Sequence, residues 1–230
     1  MVVSAGGAWG SVGGGNLEAY TLARARELLA QHATTPELTV HTLGPEGGPY
    51  GVQCCGGEVT VLLEPVYPVR PTVAIFGAGH VGWALVQVLG TLPLSLQLID
   101  SRPEQLERPL PTPLTATVER RHAPVPESIL ESLPDGSHLL VLTHDHAEDL
   151  AVLERALRGD RFGFVGLIGS ASKWAHFGRE LKKQGLTADE LARVTTPIGL
   201  PNVPGKSPQA VAIAVAAQLL GVLELPDTLF

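Results

Sequence analysis

The spacing of apolar residues changes character near residue 65. Ahead of it, Leu17, Tyr20, Ala23 and Leu28 fall near helical spacing and predict one amphipathic helix, with Asn16 as its N-cap. Met1 to Ser4 reads as a short strand. Leu38 to Thr42 alternates as a strand does, and Glu58 to Glu64 reads as another. A Gly- and Pro-rich loop, Gly44 to Gly57, lies between them. Pro65, Pro68 and Pro71 then make a stiff linker. The expected division is a small N-terminal α+β domain over 1–66 and a second domain over 71–230.

Past the linker, short apolar runs alternate with helical patterns. Strands are expected at Val73 to Phe76, Leu96 to Ile99, Thr115 to Val118, His138 to Leu142 and Phe164 to Ile168. Helices are expected at Val81 to Leu89, Ala147 to Leu157, Ala171 to Gln184 and Pro208 to Leu223. Such alternation predicts a parallel sheet covered by helices on both faces, a Rossmann-like α/β domain.

The turn after the first of these strands reads Gly77-Ala-Gly79-His80-Val-Gly82. The first glycine of such a fingerprint permits the tight turn, the second lets a pyrophosphate approach the backbone, and the third allows close helix–strand packing. Free N–H groups at the helix start suit a phosphate. Asp100 ends the next strand, where an acid meets a ribose hydroxyl, and Arg102 beside it is either a phosphate contact or a solvated surface residue. The turn by itself fits NAD(P), another nucleotide, or a packing role alone.

Composition narrows the class. Hydrophobic residues make up 44% and charged residues 17%, which excludes disorder, and the net charge of -7 argues against a nucleic-acid binder. The two cysteines, Cys54 and Cys55, are adjacent; on an extended segment they point to opposite faces and make a poor disulfide. No CxxC zinc spacing is present. No basic-then-apolar leader is visible, and the longest apolar segment, Ala210 to Leu223, is interrupted by Gln218 and shorter than a membrane span. These features predict a cytoplasmic protein without a membrane partner.

Three further strings are candidates for chemistry. Thr143-His144-Asp145 follows the fourth expected strand of the second domain, at the sheet edge where ligands bind. His144 fits substrate contact or acid–base work, and Asp145 either shares that role or caps the next helix. Gly166-Leu-Ile-Gly169-Ser170 precedes another helix, with Ser170, Ser172 and Lys173 toward the crevice; Ser170 as a helix cap is the plainer alternative. Pro197 to Gly205 reads as a rigid loop that places Lys206 near an anion. In Gln53-Cys54-Cys55-Gly-Gly, the thiols are either small buried apolar groups or soft ligands for a sulfur-rich metal centre.

The ordered series Gly13-Gly14-Gly15-Asn-Leu-Glu, Gln53-Cys-Cys-Gly-Gly, Phe76-Gly-Ala-Gly-His-Val-Gly, Thr143-His-Asp, Gly166-Leu-Ile-Gly-Ser and Pro197-Ile-Gly-Leu resembles the XdhC/CoxI family, accessory proteins of xanthine dehydrogenase and related molybdenum hydroxylases. The resemblance implies a chaperone rather than an enzyme. Such a protein binds the molybdenum cofactor (molybdopterin), protects it while an oxo ligand is exchanged for sulfido, and helps insert it into the apo-enzyme. It implies two partners, the xanthine dehydrogenase-type apo-enzyme and a cysteine desulfurase. Carried over residue by residue, Cys54 or Cys55 becomes the molybdenum contact. Gly13 to Gly15 and Gly77 to Gly82 become phosphate cradles, with the cofactor between the two domains.

Two departures from the family pattern stand out. The chain begins after a Gly-Ser-x-Pro-Arg-like segment usual in the family; either its start is set too late or it is a shortened member, and in the second case a homodimer is expected to compensate for the incomplete small domain. Thr196 stands where a Cys or His often precedes the Pro-Ile-Gly loop, which disfavours a metal role there. The rival reading is an NAD(P)-dependent oxidoreductase with His144 beside its substrate. A third is a nucleotide-sensing interaction module.

Overall fold

A computed structural model of the chain describes residues 1–13, 15–43, 57–67, 70–223 and 225. Gly14, Gln53, Cys54 and Cys55 lie outside the described residues, as does most of the loop that holds the cysteines. The chain forms two compact units, Met1–Pro68 and Val69–Phe230.

In the first unit, strand β1 (Val2–Val3) pairs antiparallel with β2 (Ala8–Trp9). Helix α1 (Gly15–Ala30) follows. Strands β3 (Glu37–Leu43) and β4 (Gly57–Leu63) pair antiparallel in a register running from Glu37 opposite Leu63 to Leu43 opposite Gly57. Leu17, Thr21 and Leu28 form the buried face of α1, and Val61 is buried from β4. Asn16 is not the cap expected of it: the helix starts one residue earlier, so Asn16 sits in its first turn. Glu18 serves this end instead, accepting from the Val12 amide at 3.1 Å and from the Ser11 hydroxyl.

The second unit alternates strand and helix. Strands β5 (Thr72–Phe76), β6 (Ser95–Asp100), β7 (Thr117–His122), β8 (His138–Val141), β9 (Phe164–Leu167) and β10 (Val194–Thr195) carry the sheet. Helices α2 (His80–Leu89), α3 (His146–Leu157), α4 (Ala171–Lys183), α5 (Ala188–Ala192) and α6 (Pro208–Leu220) cover it. The strand order is β10-β9-β8-β5-β6-β7, and each pair is parallel. This is the doubly wound order in which the chain reverses direction across the sheet after the third strand, so the switch point lies between β5 and β8.

Alternate residues of β5 enter opposite cores, as the period of a strand requires. Val73 and Ile75 pack with Leu85 and Leu89 of α2 and Val215 and Leu219 of α6. Ala74 and Phe76 pack with Leu153 and Leu157 of α3 and Phe177 and Leu181 of α4. A strand buried on both faces has no polar positions to spare, which is why it reads as an unbroken apolar run. The third strand of this unit is displaced from its expected place, running over Thr117–His122 rather than 115–118. Elements β2, α5 and β10 were not expected from the sequence. No helix among the described residues is long and apolar enough to cross a membrane.

Candidate functional site

Hydrogen bonds of the parallel ladder continue past the strand ends and hold three turns at one edge of the sheet. Gly77 N–H donates to Ile99 O at 2.7 Å, Leu142 N–H to Phe76 O at 2.8 Å, and Ile168 N–H to Val141 O at 2.9 Å. The turns after β5, β8 and β9 therefore share the carboxyl edge. They carry Gly77 to Gly82, Thr143 to Asp145, and Gly169 with Ser170.

The three fingerprint glycines have different reasons to be glycine. Gly77 has φ +119°, and a Cβ there would overlap the Leu142 carbonyl. A Cβ on Gly82 would overlap the carbonyl of Gly77 itself. Both are fixed by packing. A Cβ on Gly79 would meet nothing within 4 Å. Gly79 is the N-cap of α2, and no side chain caps that helix start. Backbone donors and the positive end of the helix dipole thus face open ground beside Gly79 and the exposed His80, a setting that favours an anion.

Asp100 is turned inward. Its side chain is 2% exposed. It accepts from Ala78 N–H at 2.7 Å, from Arg102 N–H and Nε at 3.0 Å each, and from Arg102 Nη2 at 3.2 Å. A carboxylate has about four lone-pair directions, and all are taken. Burial pushes its carboxyl upward, but the hydrogen bonds from Arg102 and Ala78 outweigh burial and hold it below the ordinary aspartate value. The Trp83 indole N–H donates to Gln105 O at 2.9 Å and ties α2 to the short 3-10 turn Pro103–Leu106 just beyond.

A pH dependence follows. A carboxyl with a lowered folded pKa contributes stability above its unfolded value, about 3.9, that is lost as pH falls through the folded value. Urea unfolding of the parent chain is expected to weaken steeply below about pH 4, and Asp100→Asn to flatten part of that slope while lowering stability at neutral pH. Equal slopes for the two proteins would remove Asp100 from this role.

The turn after β8 is held from beneath by a residue the sequence reading missed. Asp149 is fully buried. It accepts from the Thr143 amide at 2.9 Å, the Thr143 hydroxyl at 2.7 Å and Lys173 Nζ at 2.5 Å. Lys173 also donates to Ile168 O at 3.1 Å, and its stem lies where a Cβ on Gly169 would stand, 2.8 Å from Cδ. The pair locks the Thr143 and Gly169 turns together, so those two motif residues serve an internal ion pair. Asp145 caps α3, accepting from Ala147 N–H at 2.8 Å, and Ser170 caps α4, accepting from Lys173 N–H at 3.2 Å. His144 remains exposed, its Nδ1 3.7 Å from Glu148. The sequence held a signal for Asp149: it falls on the apolar face of α3 with buried Val152, Leu153, Ala156 and Leu157.

The other glycine cradle is of different character. Gly13 and Gly15 both have positive φ, but the Gly13 amide donates to Ser11 Oγ at 3.1 Å and the Glu18 carboxylate already occupies the start of α1. No group of three His, Cys, Asp or Glu side chains among the described residues could hold a metal ion.

Comparison with known proteins places this geometry. The sequence profile of the XdhC Rossmann domain matches residues 73–219, and that of the XdhC and CoxI family matches residues 1–42. The chain belongs to the XdhC/CoxI family. A curated relative, uncharacterized protein YqeB of Escherichia coli (strain K12), is 28% identical over 223 residues, 96% of this chain. The alignment covers 40% of YqeB, so the chain spans about two fifths of that relative's length. A crystal structure of a xanthine dehydrogenase from Bacillus halodurans shares the fold, with a TM-score of 0.54 and 19% identity over 93% of this chain and 82% of that one. In this XdhC/CoxI member the fingerprint turn lies within the stretch that matches the XdhC Rossmann domain.

Proposed function

We propose that the chain is a molybdenum cofactor chaperone that supports sulfuration of the cofactor and its insertion into a xanthine dehydrogenase-type molybdenum hydroxylase. Family membership supports an accessory role in maturation of that enzyme class. The observation that carries the rest is the uncapped start of α2 at Gly79, where a Cβ would meet open space. Molybdopterin ends in a phosphate, and an uncapped helix start in a Gly-rich turn fits that end of the molecule.

Gly79, His80 and the first amides of α2 would hold the phosphate, and Cys54 or Cys55 would hold the molybdenum end, since thiolates suit soft metal centres. Bound, the group would supply the molybdenum centre of the target enzyme. The chain's own residues bind and shield it. The apo-hydroxylase and a cysteine desulfurase are the partners of this reading, and a homodimer is its assembly state.

The test is molybdenum content of the chain expressed with and without a working cofactor pathway. Molybdenum is expected only with the pathway. Cys54→Ser or Cys55→Ser is expected to lose it with the fold intact. Equal metal from both strains sinks the reading. An NAD(P)-dependent oxidoreductase, favoured by the strand order and fingerprint, predicts tight NAD(P)H binding and turnover instead.

A further inference from the structure

A doubly wound sheet holds a dinucleotide through the helix start for the pyrophosphate, an acid at the end of the next strand for the ribose, and the crevice at the switch point for the nucleosides. In this protein the helix start at Gly79 is open, whereas the acid is not. Asp100 spends its acceptors on Ala78 and Arg102. The crevice is also crossed. Ser101, the residue after β6, donates its hydroxyl to Glu148 at 2.5 Å. Glu148 lies in the first turn of α3, the helix that follows β8. Strands β6 and β8 flank β5 on its two sides, so this bond joins the two sides of the carboxyl edge beside the glycine turn. His122 Nε2 pairs with Ser101 O at 3.1 Å and steadies the same residue. Arg102 is itself paired with Asp100, its Nε 3.0 Å from Oδ1 and its Nη2 3.2 Å from Oδ2.

We infer that Ser101 and Glu148 are specificity-determining residues: their hydrogen bond straps the nucleoside side of the crevice, so the site takes a phosphate ester whose remainder does not lie over β6 and rejects adenine dinucleotides. The inference rests on the phosphate reading of Gly79 proposed above and narrows its ligand class.

The experiment titrates the parent chain, Ser101→Ala and Glu148→Ala with NADH and, separately, with inorganic pyrophosphate; Gly79→Asp, which puts a carboxylate at the phosphate position, is the control. NADH is expected to bind each strap variant at least about tenfold more tightly than the parent, while pyrophosphate binds all three alike and Gly79→Asp poorly. Equal NADH affinity for the parent and both strap variants, tight or weak, overturns the strap. Pyrophosphate binding that is absent everywhere, or unchanged in Gly79→Asp, overturns the phosphate reading and is read independently of the NADH arm.

Discussion

Gly82→Ala is expected to destabilise the second unit by about 3 kcal/mol or more, near the large end for single substitutions, and Gly79→Ala by no more than about 1 kcal/mol. The two glycines stand three residues apart in one turn, and a motif description treats them alike. Their surroundings do not. The added methyl at Gly82 overlaps the backbone carbonyl of Gly77. That carbonyl belongs to a residue whose own Cβ position is filled by the Leu142 carbonyl, so neither side of the contact can give without parting β5 from the turn after β8. At Gly79 the methyl enters open space. Thermal unfolding separates the two cases, with Gly82→Ala lowering Tm by about 10 °C and Gly79→Ala by only a few degrees. Phosphate binding is expected to follow the opposite ranking per unit of stability lost, because the methyl at Gly79 stands on the ligand side. Equal Tm losses for both would mean that the turn relaxes freely and that packing does not fix the fingerprint.

The same contrast explains what was legible in the sequence. Strands β5, β6, β8 and β9 were readable because each is buried and lies in the run of a doubly wound sheet. Strand β7 is displaced from its expected place because it is an edge strand: Thr117, Glu119, Arg120 and His122 are exposed, and a polar edge carries neither an apolar run nor a clean alternation. Strand β10 has two residues and α5 five, too few for a period. Helix α5 nevertheless left a local mark, since Thr187 and Glu190 form a reciprocal capping box.

At the site, the turns were found and their internal partners were not. Capping is one of the two roles the sequence allows Asp145 and Ser170, and both cap. The place of Asp100 at the end of β6 predicts a ligand contact. Which way a carboxylate turns depends on donors from two other segments, Ala78 and Arg102, and strand spacing carries no information about that choice. Asp149 could have been found, because an aspartate on the apolar stripe of α3 must have a buried partner.

That partner gives the second large expectation. Lys173→Met should cost about 3–5 kcal/mol, because it leaves Asp149 charged, fully buried and short of one donor. Asp149→Asn alone should also be costly, since Lys173 Nζ, 13% exposed at the side chain, loses its carboxylate and keeps the Ile168 carbonyl and the face of the Phe177 ring. The double variant Asp149→Asn/Lys173→Met should be more stable than the sum of the single losses predicts, by about 2 kcal/mol or more. Removing both charges ends the desolvation penalty of each, and an asparagine can still accept from Thr143.

Urea unfolding of the four proteins measures this coupling, and additive losses would show that the two side chains do not act on one another. The coupling also bears on the site. The Thr143 amide and hydroxyl reach Asp149, and a Cβ on Gly77 would come within 3.0 Å of the Thr143 Cα. Lys173 therefore supports the glycine turn through Asp149 and Thr143. With phosphate held at Gly79, Lys173→Met is expected to weaken pyrophosphate binding even at temperatures where the fold is intact, and the double variant to restore it in step with stability.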